Sequence, residues 1–110
     1  MDDILKKMLA RGIEMHVAGE FELAGQLYCY VIKLQPNNAD ANHNMDLLNI
    51  DKANDMEALH YLQIALTANT RIAKFWLSYL IALVRLERVE DAVRIFGLAK
   101  ERGLNEGCFS

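Results

Sequence analysis

One spacing strongly limits what this chain can fold into, because small and bulky residues recur every 34 positions. A small or β-branched residue stands at two places seven residues apart in each unit: Ala24/Val31, Ala58/Ala65 and Ala92/Ala99. A bulky residue lies between them each time: Tyr28, Leu62 and Phe96. Residues seven apart share one face of a helix, so each unit offers a strip against which a second helix can pack closely. The chain therefore divides into three units, 5–38, 39–72 and 73–106, within a single domain, 1–110, that ends in a short tail, 104–110.

Each unit is predicted to contain two helical stretches separated by a turn, and three of these stretches have the periodicity of an amphipathic helix. Apolar residues stand at i, i+3, i+4 and i+7 in LKKMLARGIEMHVA, FELAGQLYCYVIKL and RIAKFWLSYLIALVRL, which is the pattern of a helix with one buried face. Turns are predicted near Gly19, Ala53 and Glu87, and Gly19 suits a left-handed residue after a helix. Only one proline and six glycines interrupt the chain, and no stretch alternates as a strand does. The predicted fold is all-α, with about six antiparallel helices.

Composition narrows the classes of partner and compartment. The formal net charge is −3, with acids and bases interspersed, so no basic block suits a phosphate backbone and nucleic-acid binding is not expected. Cys29 and Cys108 stand far apart without a CxxC pair, which favours a reducing, cytoplasmic location. The most apolar run, FWLSYLIALVRL at 75–86, is too short to span a bilayer, which takes about 18 residues or more.

The residues of unit one carry a family resemblance. The series Met8-x3-Gly12-x2-Met15-x3-Gly19-x-Phe21-x2-Ala24-x3-Tyr28-x2-Val31-x4-Pro36 resembles a tetratricopeptide repeat (TPR), and unit three is similar. The resemblance implies an α-solenoid with a right-handed superhelical twist. The run FWLSYLIALVRLERVEDA also resembles repeats of bacterial multidomain proteins whose array precedes a glycosyl- or sulfotransferase domain, so a fragment of such a protein is one alternative.

One residue departs from the family pattern at a packing position. Asp46 falls where the family has glycine or alanine, at the tight crossing of a unit's two helices. Because burying an unpaired carboxylate costs several kcal/mol, we expect Asp46 to tilt toward water or to meet a basic neighbour. A deliberate kink or switch is the alternative.

The resemblance implies a function in protein–protein interaction, as an adaptor or scaffold that binds a peptide or protein segment. The binding groove is expected along the first helix of each unit. Its predicted residues are Lys6, Leu9, Ile13, His16, Val17, His43, Asn44, Leu47, Ile50, Lys74, Leu77, Ser78, Ile81, Val84 and Arg85. The aliphatic members would bind by apolar burial, while Asn44, Lys74 and Arg85 would orient the partner. Two alternatives stay open: the aliphatic stripe is core, or the chain is a self-assembling structural unit with no separate ligand.

No catalytic series, cofactor site or phosphate loop is evident, so an enzyme is not expected. The residues that come nearest to a metal-binding set are His16 and His43, with Asp40 and Asp51 near them. Their spacing does not match that of metal ligands on one helix, and no metal is predicted.

The last helix lacks the further helix that family members commonly add. Three outcomes stay open there: the tail folds back, the chain is a fragment, or two copies pair as a homo-oligomer through this helix or through the groove.

Overall fold

The computed structural model describes residues 3–101 and contains six α-helices in this range. In chain order they are α1 (Asp3–Val17), α2 (Phe21–Leu34), α3 (Ala39–Asp51), α4 (Asp55–Ala68), α5 (Ala73–Arg85) and α6 (Val89–Glu101). No strand occurs among the described residues, and the all-α prediction is confirmed. The predicted tail, 104–110, lies outside the described residues.

Helix boundaries repeat with the same spacing as the alanines. Helices α2, α4 and α6 begin at Phe21, Asp55 and Val89, each one repeat length after the last, and the starts of α3 and α5 are separated by the same length. Helices pack as hairpins, α1 with α2, α3 with α4 and α5 with α6, and the second helix of one hairpin also packs on the first helix of the next. We call α1, α3 and α5 the inner helices and α2, α4 and α6 the outer helices. The result is a helical solenoid of three hairpins.

The turn inside each hairpin has the same backbone geometry in all three units. Gly19, Ala53 and Glu87 have positive φ angles of 84°, 62° and 60°. The next residue's amide donates to a carbonyl five residues back each time: Glu20 to Met15, Asn54 to Asn49 and Arg88 to Leu83. This is the bonding of the Schellman motif, which ends a helix on a left-handed residue. The predicted turn positions are confirmed, although only the first carries the glycine that this conformation favours.

The small-residue strips lie at the crossings within each hairpin. All six members are buried, and the most exposed, Ala92, has only 7% of its surface accessible. In unit one the two helices approach each other tightly at Gly12, where an added Cβ would lie 2.7 Å from Tyr28 Cε1. Tyr28 and Leu62 fill the space beside their strips, but Phe96 is 36% exposed. The Nζ atom of Lys100 lies over the Phe96 ring, 5.4 Å from its centroid.

Asp46 occupies in unit two the place of Gly12, and the expectation that it tilts toward water is wrong. It is only 1% exposed, and among residues 3–101 its Oδ2 has no hydrogen-bond partner. The nearest basic atom is Nε2 of His43, 3.8 Å from Oδ2. Burial raises the pKa of Asp46 to about 7. Below about pH 7 the carboxyl group therefore reduces its burial cost by keeping its proton rather than by reaching solvent.

Two buried clusters form the core. The first joins α1 and α2 to the face of α3 that carries Ala41, Met45 and Leu48. The second joins α4, α5 and α6 around Phe75 and Trp76. No helix among residues 3–101 is long and apolar enough to cross a membrane.

Candidate functional site

The inner helices are joined by two side-chain contacts between residues 35 positions apart. His16 Nε2 lies 2.6 Å from Asp51 Oδ2 and links α1 to α3. His43 Nε2 lies 3.3 Å from Ser78 Oγ and links α3 to α5. Because each contact joins the inner helices of adjacent units, the three inner helices lie side by side. Their remaining exposed side chains therefore share one surface.

This surface carries a band of exposed aliphatic side chains. We call it the inner-helix band; its members are Ile13, Val17, Leu47, Leu77, Ile81 and Val84. Their exposed fractions range from 36% for Leu77 to 84% for Val17. Ile50, which was also predicted to line the groove, is only partly exposed. Exposed aliphatic residues are common singly, but a series on three neighbouring helices is typical of a contact surface.

Two predicted groove residues are not available on this surface. Leu9 is 6% exposed and belongs to the core cluster of α1, α2 and α3. His43 is 7% exposed, and its ring centroid lies 4.6 Å from that of Phe75. The alternative that the stripe is core therefore holds for Leu9, and His43 is likewise a packing residue rather than a contact residue.

The polar residues around the band have different environments. Lys6 and Lys74 are exposed, and Ser78 and Asn44 are partly buried. Asn44 Nδ2 donates to the Asp40 carbonyl at 2.8 Å. Arg85 donates through Nη2 and Nε to Asp55 Oδ1 at 3.0 and 3.2 Å. Asn44 and Arg85 are thus engaged within the chain, where Arg85 joins α5 to the start of α4.

His16 is held at the edge of the band by a three-residue network. With its ring proton on Nε2, His16 donates to Asp51, and its Nδ1 accepts from the Tyr28 hydroxyl at 3.3 Å. Burial raises the pKa of Tyr28 to about 12, so the hydroxyl keeps the proton that it donates. The network ties α2, α1 and α3 together. It fixes the orientation of the imidazole ring beside Val17.

His43, Asp46 and Ser78 form a second cluster beneath the inner-helix surface. Burial lowers the pKa of His43 to about 4, with the Lys74 charge acting in the same direction and Asp40 opposing it. Ser78 Oγ and Asp46 Oδ2 both approach the same ring nitrogen, Nε2, at 3.3 and 3.8 Å. A serine–histidine–aspartate triad needs its serine and aspartate on opposite ring nitrogens. These three residues therefore lack the arrangement that activates a serine nucleophile.

No three His, Cys, Asp or Glu side chains in the described part of the chain are placed to hold a metal ion together. His16 and His43 belong to separate networks. The expected proximity of Asp51 to a histidine is confirmed at His16.

The sequence did not predict Tyr28 as the partner of His16 or Asp55 as the partner of Arg85. A search for polar pairs near one repeat length apart would have found His16 with Asp51, but the contact of Asp55 with Arg85 spans 30 residues and has no such signal.

Comparison with known proteins shows which solved structures share this fold. No protein-family model matches the chain, and no curated protein matches it. Two solved structures of MamA are similar to it, one of a variant with a single Arg-to-Glu substitution and one of MamA AMB-1. Each superposes with a TM-score of 0.79 at 23% sequence identity over 96% of this chain. The chain spans 76% of the first and 56% of the second. At this identity the likeness establishes the fold alone: this chain shares its six-helix repeat architecture with MamA.

Proposed function

We propose that this protein is a TPR-type interaction module that binds a peptide or protein segment along the inner-helix band. The observation that carries the proposal is the band itself, an aliphatic surface that crosses three side-by-side helices. The resemblance of unit one to a tetratricopeptide repeat and the fold shared with MamA support it. The module acts by binding and has no catalytic role.

The spacing of the band suits a helical partner. On α5 the exposed residues Leu77, Ile81 and Val84 stand at i, i+4 and i+7, the spacing at which an amphipathic helix presents its own apolar residues. Completing the burial of a half-exposed aliphatic side chain contributes about 1 kcal/mol. Six such residues contribute about 6 kcal/mol, against an association cost of at least about 4 kcal/mol. The band alone therefore supports weak capture, and tighter binding requires polar contacts at Lys6, Lys74 or Ser78.

The experiment compares aspartate substitutions inside and outside the band. Binders are selected against the wild-type chain from a displayed library of amphipathic helical peptides, and their affinities for variants are measured by fluorescence anisotropy. Ile81→Asp and Leu47→Asp should each weaken binding by at least about tenfold, because the peptide would bury an unpaired carboxylate. Met56→Asp, at a 65% exposed position on α4, is the matched control and should bind as the wild type does.

Circular dichroism of the same variants separates the two interpretations of the band. Unchanged helicity with lost binding supports a contact surface. Loss of helicity in Ile81→Asp would show that the band is core. If Met56→Asp weakens peptide binding as much as the substitutions in the band do, the inner-helix band is not the binding site.

Self-association is the second candidate function, and two surfaces favour it. A second copy could cover the inner-helix band, or it could pair through α6, where Val93 is 68% exposed. Sedimentation over a range of concentrations tests this. A single monomeric species at high concentration would contradict it.

The proposed location is the cytoplasm. Cys29 is a free, exposed thiol, as a reducing compartment allows. Cys108 lies outside the described residues.

A further inference from the structure

A cavity of about 460 Å³ lies between the first outer helix, α2, and the second hairpin, α3 and α4. We call it the α2–α4 cavity. Its buried floor is formed by Met45, Leu48 and Asn49 of α3, and Phe21 of α2 and Tyr61 of α4 line its sides. The volume is within the range of sites that bind small molecules, about 300–1,000 Å³. No lining residue belongs to the inner-helix band, so this cavity is separate from the proposed peptide-binding surface.

Asn49 places a buried amide group in the floor of the cavity. It is 8% exposed, whereas the same position of the repeat is occupied by the apolar residues Met15 and Leu83 in the other units. Its Nδ2 donates to the Met45 carbonyl at 2.9 Å. Its Oδ1 accepts no hydrogen bond from residues 3–101 and keeps accessible surface. Because buried acceptors are normally paired, a side chain more than nine-tenths buried thus offers an unused acceptor to a ligand in the cavity.

Three exposed charged side chains lie at the opening of the cavity. Glu22 is in the first turn of α2, Glu57 is in the first turn of α4, and Lys52 directly follows α3. None of the three forms an ion pair with another of the residues 3–101. Two carboxylates and one ammonium give the opening a net charge of −1. This charge favours a cationic ligand over an anionic one.

Two aromatic rings line the cavity, and each is held by an edge-to-face contact with a histidine. The Phe21 ring lies 5.6 Å from that of His16, and the Tyr61 ring lies 5.3 Å from that of His60, measured between centroids. The face of an aromatic ring attracts a cation electrostatically. The rings and the apolar floor also provide contact area for the uncharged part of a ligand. The lining therefore combines apolar contact with groups that favour positive charge.

We propose that the α2–α4 cavity binds a primary amine, with its ammonium group at Asn49, Glu22 and Glu57 and its apolar body on the floor and rings. An ammonium group has three N–H donors, and these three residues each supply an oxygen acceptor. Lys52 is exposed and keeps its own ammonium group in water. Its positive charge repels the ligand and lowers the affinity without closing the site.

Titration of the isotope-labelled chain, followed by the amide signals in nuclear magnetic resonance spectra, tests the ligand chemistry. Phenethylamine, phenethyl alcohol and hydrocinnamate present an ammonium, a hydroxyl and a carboxylate on one kind of body. The amine should shift the signals of the cavity residues saturably and bind at least about fivefold more tightly than the alcohol. Hydrocinnamate should bind more weakly than the alcohol. Equal or tighter binding of hydrocinnamate, or shifts confined to other parts of the chain, would overturn the proposal.

A fourth ligand distinguishes the two sources of such an ammonium group. Nα-acetyl-lysine methylamide presents the lysine side chain of a partner protein. Tighter binding of this ligand than of phenethylamine would support the proposal with a protein lysine as the source. Tighter binding of phenethylamine would support it with a free amine as the source.

Substitutions in the cavity test the predicted contacts. Asn49→Leu introduces the residue that unit three carries as Leu83 and should weaken amine binding by at least about tenfold, because the buried acceptor is lost. Glu57→Gln should weaken it about two- to fivefold, and Lys52→Gln should strengthen it by up to about fivefold, because both residues are exposed. Glu90→Gln, in the first turn of α6, is the matched control and should bind as the wild type does.

The same spectra show whether each variant is folded, because signals far from the cavity should keep their positions. Equal dissociation constants for wild type and a folded Asn49→Leu would overturn the proposal. If Glu57→Gln and Lys52→Gln change the affinity in the same direction, the charge of the cavity does not select the ligand, and the proposal is likewise overturned.

Discussion

Asparagine in place of Asp46 should change how stability depends on pH, because Asp46 and His43 titrate in opposite senses. The folded protein raises the pKa of Asp46 from 3.8 to about 7 by burial. The stability that the protonated carboxyl contributes is fully present below pH 3.8 and is lost as the pH rises through 7. At about 1.4 kcal/mol per pH unit, the loss amounts to about 4 kcal/mol.

His43 acts in the other direction over the same range. Its pKa falls from 6.5 to about 4, chiefly through burial. The stability contributed by the neutral imidazole is present above pH 6.5 and is lost as the pH falls through 4, by about 3 kcal/mol. Between about pH 4 and 6.5 the two contributions nearly cancel in the wild-type protein.

Asp46→Asn removes the contribution of the Asp46 carboxyl group to the pH dependence of stability, while keeping the shape of the side chain. The variant's free energy of unfolding, relative to that of the wild type, should rise by about 3 to 4 kcal/mol between about pH 4 and 6.5. His43→Gln should show the opposite trend, because the fall due to Asp46 is then uncompensated. Urea unfolding followed by far-ultraviolet circular dichroism at several pH values measures both.

Glu22→Gln is the control, because it removes an exposed carboxylate of α2 and leaves Asp46, His43 and the charges that act on His43 in place. Its profile should stay close to that of the wild type. The other carboxylates and histidines are common to all the variants and cancel in the differences. Parallel profiles for Asp46→Asn and the wild type would refute the reasoning, because they would mean that Asp46 is ionised in the folded protein as it is in the unfolded chain.

Further substitutions test the packing, the turns and one ion pair. Gly12→Ala should destabilise the protein by about 1–3 kcal/mol because its Cβ would clash with Tyr28, whereas Gly97→Ala, with open space around it, should stabilise α6 by up to about 1 kcal/mol; equal urea midpoints would contradict this. Ala53→Gly and Glu87→Gly should each raise stability by about 0.5–1 kcal/mol because both positions have positive φ. Ala10→Gly, at an exposed position inside α1, should lower it by about 1 kcal/mol, and thermal melts that rank these three variants otherwise would argue against the left-handed turns. Arg85→Ala and Asp55→Ala should show a coupling energy of at most about 1 kcal/mol in a double-mutant cycle, because the side chains are 43% and 23% exposed; a much larger value would mean that the pair is shielded from solvent.

The sequence alone determined the helical class, the repeat period, the turns at Gly19, Ala53 and Glu87, and the small-residue strips. All of these depend on residues close together along the chain. Helix geometry places positions seven apart on one face whatever surrounds them, and a Schellman turn is closed by bonds within six residues. Repetition three times over made each local signal readable.

Only the tertiary structure decided which side chains are covered. The same position of the repeat is occupied by Gly12 in unit one, where it packs against Tyr28, and by the buried Asp46 in unit two. Leu9 and His43 left the predicted groove because neighbouring helices cover them, while Ile81 and Val84 stay exposed. Whether a residue is buried depends on which residue of the adjacent unit covers it, and the covering residue stands about one repeat length away in the chain. Spacing could therefore predict the faces of the helices, but only their assembly determined which face meets protein and which meets solvent.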